Sequence, residues 1–192
     1  VDTPINSPAD LRGLKIRVQQ SPTNIEMMRL LGGSATPMGF GDVYTALQSH
    51  IIDGAENNEM ALTDNGHGDV CKYYSYDMHQ MVPEEFLEEK NLDELGDILE
   101  VLEELTEEER AIFEEGFQLI NTVQREEWVK AVENAKNRAQ NEQHVEFIYP
   151  DQGPFMEACM PLHDSMLAEN PDLQSTYDAI QAYNEQYPAQ TE

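Results

Sequence analysis

Apolar and polar residues along the first third of this chain follow two rhythms in turn. From Leu14 to Val18 (LKIRV) they alternate singly, the period of a half-buried strand. From Ser21 to Gly33 (SPTNIEMMRLLGG) apolar positions recur at threes and fours, which predicts a helix capped by Ser21 and stopped by Gly32 and Gly33. The pair then repeats. SATPM is a second short strand, and Asp42 to His50 is a second helix with Val43, Leu47 and Ile51 at helical spacing. IIDGAEN is a third strand whose polar end opens into a helical stretch near Met60 to Thr63. Ser7-Pro8-Ala9-Asp10 is a further helix start, with a cap, a proline at the first helical position and an acid at the positive end of the dipole, cut short by Gly13. Strand-helix alternation with connections this short predicts a parallel, helix-covered sheet, an α/β fold.

The second part reads differently. CKYYSYDMHQMVP is expected to be another strand, with aromatics at Tyr73, Tyr74 and Tyr76. Residues 84 to 109 are then overwhelmingly Glu, Asp and Leu, and Leu87, Leu92, Leu95, Leu99, Leu102 and Leu105 keep roughly helical spacing, which predicts one or two acidic amphipathic helices. A long helix from about Glu107 to Asn141 follows, broken near Gly116 and presenting Ile112, Phe113, Phe117, Ile120, Val123 and Trp128 inward. VEFIYP is a last strand, Phe155 to Leu167 a helix and Leu173 to Tyr187 a terminal helix. The expected organisation is an α/β ligand-binding half-domain over residues 1–83, with residues 84–192 packed on it as acidic and long helices and one returning strand.

Composition narrows the function. The chain has 192 residues, 40% of them hydrophobic, enough for one good core or two small ones. With 38 Asp and Glu against 11 Lys and Arg the formal charge is -27, and long-range repulsion opposes nucleic acid, anionic membranes and anionic small molecules alike, unless one cation is held locally. Most of that charge reads as a solvated surface. No stretch approaches the roughly 18 apolar residues that span a bilayer, so no membrane insertion is expected. The first residues, VDTPINSPAD, have neither the basic nor the apolar region of an export signal. Cys71 and Cys159 lack CxxC spacing, leaving a single disulfide and two free thiols both open. His50, His67, His79, His144 and His163 form no i,i+4 pair, and no glycine-rich phosphate loop or nucleophile elbow occurs, so neither a metal nor a cofactor is expected.

In open α/β sheets ligands bind beyond the carboxyl ends of the strands. Arg17, near the end of the first strand, and the pair Glu56-Asn57, at the end of the third, are expected at one rim. A planar guanidinium matches a carboxylate with two parallel charge-assisted bonds, whereas lysine offers a point charge. An arginine in that place is also often a surface ion-pair partner, and Asn57 a helix cap. Asp53 and Glu56 are expected to support the loop through backbone hydrogen bonds.

The stretches PINSPADLRGLKIRV, GGSATPMGFGDVYTALQ and DGAENN resemble, in order and spacing, the solute-binding proteins of TRAP transporters, the DctP family. The similarity runs from Thr3 to Pro83 and resumes at LTEEERAIFEEGF and VEFIYPDQGPFMEACMPLHDSM. It implies a type II periplasmic-binding-protein-like α/β domain with helical C-terminal additions, a periplasmic or extracytoplasmic location, and capture of a small organic carboxylate for TRAP membrane permease subunits, with no reaction catalysed. By the same resemblance Arg17 would form the two-pronged ion pair with the ligand carboxylate, Asn57 would help to fix it, Phe40 would make an apolar wall, and Gln20 and Tyr44 would be lesser polar contacts.

Two departures from the family pattern stand out: the additional α/β domain that precedes these motifs in the family is absent from the sequence, and EEFLEEKNLDELGDILEVLEEL stands where an apolar strand is expected after Pro83. Both fit a fragment or engineered version of such a protein, its acidic helices covering surface left by the missing domain and its high-affinity binding lost. The acidic stretch also resembles MazG-type nucleotide pyrophosphohydrolases, with Glu84, Glu85, Glu88, Glu94 and Asp97 at magnesium-binding spacings, although spacings of this kind arise readily by chance in a Glu-rich segment.

Overall fold

A computed structural model describes residues 3–80 and 105–186, with the side chains of Glu114 and Phe117 left out. The acidic stretch and the boundary at 83/84 lie outside the described residues.

The chain enters through a 3-10 turn, Pro8–Leu11, where the Asp10 carboxylate accepts the backbone N–H groups of Asn6 and Ser7, each at 2.9 Å. Gly13, at φ +82, makes the left-handed step that a side chain would resist and releases the chain into β1, Lys15–Val18. Helix α1, Pro22–Leu30, follows an extended Ser21 and begins on a proline. β2, Ser34–Pro37, then returns parallel to β1. A 3-10 turn, Phe40–Asp42, runs into α2, Val43–Gln48, and β3, Gly54–Ala55, completes a parallel sheet in the order β2-β1-β3. Register places Arg17 between Thr36 of β2 and Ala55 of β3.

The third strand is shorter than the sequence pattern predicts, for a reason visible in the backbone. The N–H groups of Ile51 and Ile52 donate to Ala46 O, and His50 takes φ 55, so these residues close the end of α2 and are unavailable to a ladder. Only from Asp53 onward does the chain join the sheet: Asp53 N–H donates to Lys15 O, and its carboxylate accepts Lys15 N–H, both at 2.8 Å.

α3, Met60–Thr63, leads to β4, Tyr73–Ser75. β4 does not extend the first sheet. It pairs in parallel with β5, Glu146–Ile148, in a second sheet of two strands. Between them lies α4, Glu107–Asn141, opened by a capping box in which Thr106 accepts Glu109 N–H and the Glu109 carboxylate accepts Thr106 N–H. The helix runs through Gly116 without the expected break. Its Ile112, Phe113, Ile120 and Val123, expected inward, are 48–65% exposed, and Trp128 is half-buried. The Phe117 side chain lies outside the described residues. Burial begins only at the far end, where Ala135 and Ala139 are small enough for close approach and Ala139 packs with Leu62 and Val145. Lys136 Nζ lies 5.0 Å from the Tyr76 ring centre and 5.6 Å from that of Tyr149, tying α4 to the second sheet by cation–π contact.

α5, Gly153–Glu169, buries Phe155 and Cys159 against α1 and β1 in the main core, formed by Ile16, Val18, Met27, Met28 and Leu31. A 3-10 turn and α6, Gln174–Gln186, end the described chain with no buried residue in that helix. Cys71 and Cys159 are free thiols.

Candidate functional site

Single alternation along β1 sends Ile16 and Val18 into the main core and Arg17 to the opposite face. Arg17 is buried there, 4% exposed, at the carboxyl end of the central strand. One edge of its guanidinium is held by the backbone: Nε and Nη2 both donate to Met38 O, at 3.1 and 3.0 Å. The Phe40 ring faces the guanidinium, with Cζ 5.6 Å from the ring centre, and packs in turn on His67 at 5.5 Å between ring centres. Nη1 faces the Glu56 carboxylate at 3.7 Å, beyond hydrogen-bond length.

The electrostatics follow from burial. Desolvation lowers the pKa of Arg17 from its ordinary value, with Glu56 opposing, and a guanidinium remains charged regardless. Glu56 is pushed up: burial outweighs the Arg17 and His79 charges and a hydrogen bond from the Gln19 backbone, and its Oε1 has no hydrogen-bond partner. His67 is pushed down by burial and by Arg17, which favours the neutral ring. His79 goes the other way. Burial lowers it, but Asp77, whose carboxylate lies 2.6 Å from Nδ1, and Glu56 together outweigh burial and raise it.

Of the residues singled out from sequence, Arg17 and Phe40 are brought into contact. Asn57 sits beside Glu56 beyond β3; its Oδ1 accepts Asn58 N–H at 2.8 Å and its carbonyl accepts the Tyr74 hydroxyl at 2.8 Å. The side chain is exposed and caps no helix. Gln20 is exposed. Gln19 is exposed as well, and its Oε1 accepts from Asn24, which in turn accepts from Gln80. Tyr44 lies against Gly66, where a Cβ would stand 3.5 Å from Tyr44 Cε2. Asp53 supports the loop as expected, and Glu56 accepts a hydrogen bond from the Gln19 backbone while also facing Arg17.

The sequence reading missed the Met38 carbonyl, His67, His79, Asp77 and Gln80. Glu56, expected at one rim with Arg17, is there: residue 55 pairs with residue 17, which puts its neighbour at the same strand end. The two histidines lie in stretches with no periodic signal. Two hollows lie elsewhere, one of about 330 Å³ lined by Pro8, Arg12, Leu31 and Pro154, the other of about 240 Å³ by Leu14, Leu47, His50 and Asp53. Neither contains a buried cation, so the chemistry of carboxylate recognition points to Arg17, at an open rim. Among the described residues no three His, Cys, Asp or Glu side chains converge as a metal site, and no helix is long and apolar enough to cross a membrane.

Comparison with known proteins bears on what this rim is for. The profile of a family described as DctP, bacterial extracellular solute-binding protein, family 7, matches residues 1–170. A TRAP periplasmic solute-binding protein from Anaerococcus prevotii, solved with bound α/β-D-glucuronate, is 61% identical with a TM-score of 0.82, covering 98% of this chain and 58% of its own. Another from Xanthobacter autotrophicus, solved with bound β-D-galacturonate, is 34% identical with a TM-score of 0.78, over 94% of this chain and 57% of its own. The protein YiiZ of Salmonella typhimurium is 42% identical over 178 residues, 93% of this chain and 51% of its own length. The chain thus spans about half the length of these relatives. The matched region runs through residues 84–97, so the reading of Glu84, Glu85, Glu88, Glu94 and Asp97 as a magnesium-dependent pyrophosphohydrolase site finds no support.

Proposed function

This chain belongs to the DctP family, family 7 of the bacterial extracellular solute-binding proteins, and on that premise we propose that it supplies one wall of a cleft that captures a hexuronate or similar small carboxylate for a TRAP-type permease. No bond is made or broken in that task. Periplasmic or extracytoplasmic placement, as in the names of the Anaerococcus and Xanthobacter proteins, goes with it.

The observation that carries the reading is the state of the Arg17 fork. Met38 O takes the edge formed by Nε and Nη2, which fixes the plane of the guanidinium. The edge formed by Nη1 and the second N–H of Nη2 is left for a planar anion, and bidentate pairing with a carboxylate is what that geometry favours. Phe40 shields one face and strengthens the pair by excluding water. In this reading Asn57 adds an amide beside the bound acid, and Gln20 from the turn after β1 and Tyr44 from α2 contribute polar contacts. The bound solutes of the Anaerococcus and Xanthobacter proteins, glucuronate and galacturonate, make a sugar acid the class to try first.

Half a cleft buries half a ligand, so affinity is expected in the millimolar range, weaker than a closed site gives. Titrating the chain with D-glucuronate, D-galacturonate and glucose, followed by NMR shifts, tests the proposal. The acids should move resonances around residues 17, 40 and 56–57, and glucose should not. Arg17→Lys should weaken acid binding about tenfold or more, because lysine keeps the charge and loses the fork. Equal binding of an acid by wild type and the lysine variant would remove Arg17 as the anchor. Absence of acid binding would favour a scaffold role without a ligand.

A further inference from the structure

We propose, building on the reading of Arg17 as carboxylate anchor, that Glu56 is an internal counter-ion standing in the ligand's place, and that a carboxylate ligand enters only as Glu56 takes up one proton. Capture by this rim is then linked to protonation and weakens as pH rises.

The geometry leads there step by step. Met38 O already occupies one edge of the guanidinium, so one edge remains for any anion. Glu56 Oε1 lies 3.7 Å from Nη1 of that edge. It is close enough to neutralise the charge and too far to satisfy its own lone pairs. That oxygen is buried and has no hydrogen-bond partner, and the Glu56 side chain is 13% exposed. A ligand carboxylate on the same edge would put two carboxylates around one cation where water screens poorly, and like charges so placed do not both stay ionised. A uronate carboxyl is the stronger acid of the two, since a ring oxygen stands beside it, and it is the one placed on the guanidinium. The proton therefore goes from solvent to Glu56, whose new O–H can donate to the bound anion, and no other reactant is needed.

The groups facing Glu56 are Arg17 from β1, the Gln19 backbone at the end of β1, and Asp77 and His79 from the segment after β4. His79, paired with Asp77, is a cation partner that partly offsets the acid, and its Nε2 is also without a hydrogen-bond partner. His67 faces Arg17 rather than Glu56. Burial raises Glu56 even without ligand, which shortens the step to the protonated form.

The test is the pH dependence of D-glucuronate affinity, measured by NMR titration of the chain between about pH 6 and 8, with Glu56→Gln alongside. One proton taken up per ligand weakens affinity by about tenfold for each pH unit gained. Glu56→Gln, already neutral, should bind at the high pH end about tenfold or more tighter than wild type, with a flat profile. The side-chain carbonyl shift of Glu56 gives a readout that needs no variant: its titration midpoint should rise by about one pH unit or more when glucuronate is saturating. A wild-type affinity that is constant across the range, or a slope that Glu56→Gln keeps, overturns the proton linkage and leaves Arg17 as the anchor. Binding by Glu56→Gln where wild type binds nothing supports the counter-ion. No acid binding by either protein, both folded by their amide spectra, overturns the anchor and the linkage together.

Discussion

The core under β1 and the first three-quarters of α4 are written in the same kind of pattern and meet opposite fates. Met27, Met28 and Leu31, on or just beyond α1, and Phe155 and Cys159 on α5 recur at helical spacing and are at most 7% exposed, closed on Ile16 and Val18. Ile112, Leu119, Ile120, Val123 and Val129 on α4 also sit on a long amphipathic helix, yet are 48–65% exposed. Periodicity reports which side of a helix is apolar, not whether another surface of the chain reaches it. Among the described residues the difference marks where an apolar helix face is packed and where it is open. Arg17 belongs to the packed region, because it stands on the strand that anchors the core.

The largest effect expected is therefore at Phe155. Truncation to alanine removes a ring that is fully buried among Met28, Leu31 and Val18 and should cost about 3–5 kcal/mol, read as a lower urea midpoint. Ile112→Ala on α4 should stay within about 0.5 kcal/mol of wild type. Comparable losses at the two positions would break the contrast outright.

A medium effect tests where α4 becomes fixed. A Cβ on Gly68 would overlap the Gln143 amide, which donates to Leu62 O and Asp69 Oδ1, both at 3.0 Å, and so joins the end of α4 to the turn before β4. Backbone strain is not involved, since Gly68 has an ordinary φ. Gly68→Ala should cost about 1–2 kcal/mol through those hydrogen bonds. A neutral result would mean that Gln143 swings aside freely and the α4 end is held by Ala139, Leu62 and Val145 alone.

How much of this was legible in sequence divides along the same line. The three parallel strands, their order of appearance and Arg17 at a strand end follow from local signals: Ser21 before Pro22, Gly13 and Gly32 at positive φ, and single alternation in KIRV. Three kinds of feature were not legible. Ile51 and Ile52 look like strand residues but lend their amides to the end of α2, a competition that apolar pattern cannot express. β4 pairs with β5 across more than 70 residues, a non-local choice. The pairing of His79 with Asp77 beside Glu56 is assembled from loops whose polar residues have no period. Sequence thus placed Arg17 and Glu56 at one rim and missed the two histidines and the Met38 carbonyl beside them.

A smaller effect again should separate the two histidines near Arg17 by sign. His67 has a folded pKa below its ordinary 6.5, so its contribution is fully present above that value and is lost as pH falls, when the unfolded chain takes a proton that the folded one refuses. His79 has a folded pKa above 6.5, so its pairing with Asp77 stabilises fully below that value and is lost as pH rises through the raised pKa. The two partly cancel in wild type. Urea midpoints at about pH 5.5 and 7.5 should shift in favour of acid for His67→Gln and against it for His79→Gln. Variants that both keep the wild-type difference would show that neither ring titrates differently on folding.

The smallest effect is expected at Ile120, and it is the most direct probe of what the exposed helix face is. Ile120 is 54% exposed, with Val123, one turn on, at 48%. Ile120→Lys removes little buried area there, and lysine is a slightly better helix former than the β-branched isoleucine, so the local terms nearly cancel. The formal charge of -27 adds a weak favourable term, because one cation on so acidic a surface relieves repulsion. The net change should be below about 0.5 kcal/mol in urea unfolding. Repeating the measurement at several protein concentrations completes the test, since a face covered by a second copy would make the wild-type midpoint rise with concentration and the lysine variant's stay fixed. A loss above about 1 kcal/mol that does not depend on concentration would mean that another part of the same chain covers Ile120, and that α4 is not the open counterpart of the β1 core.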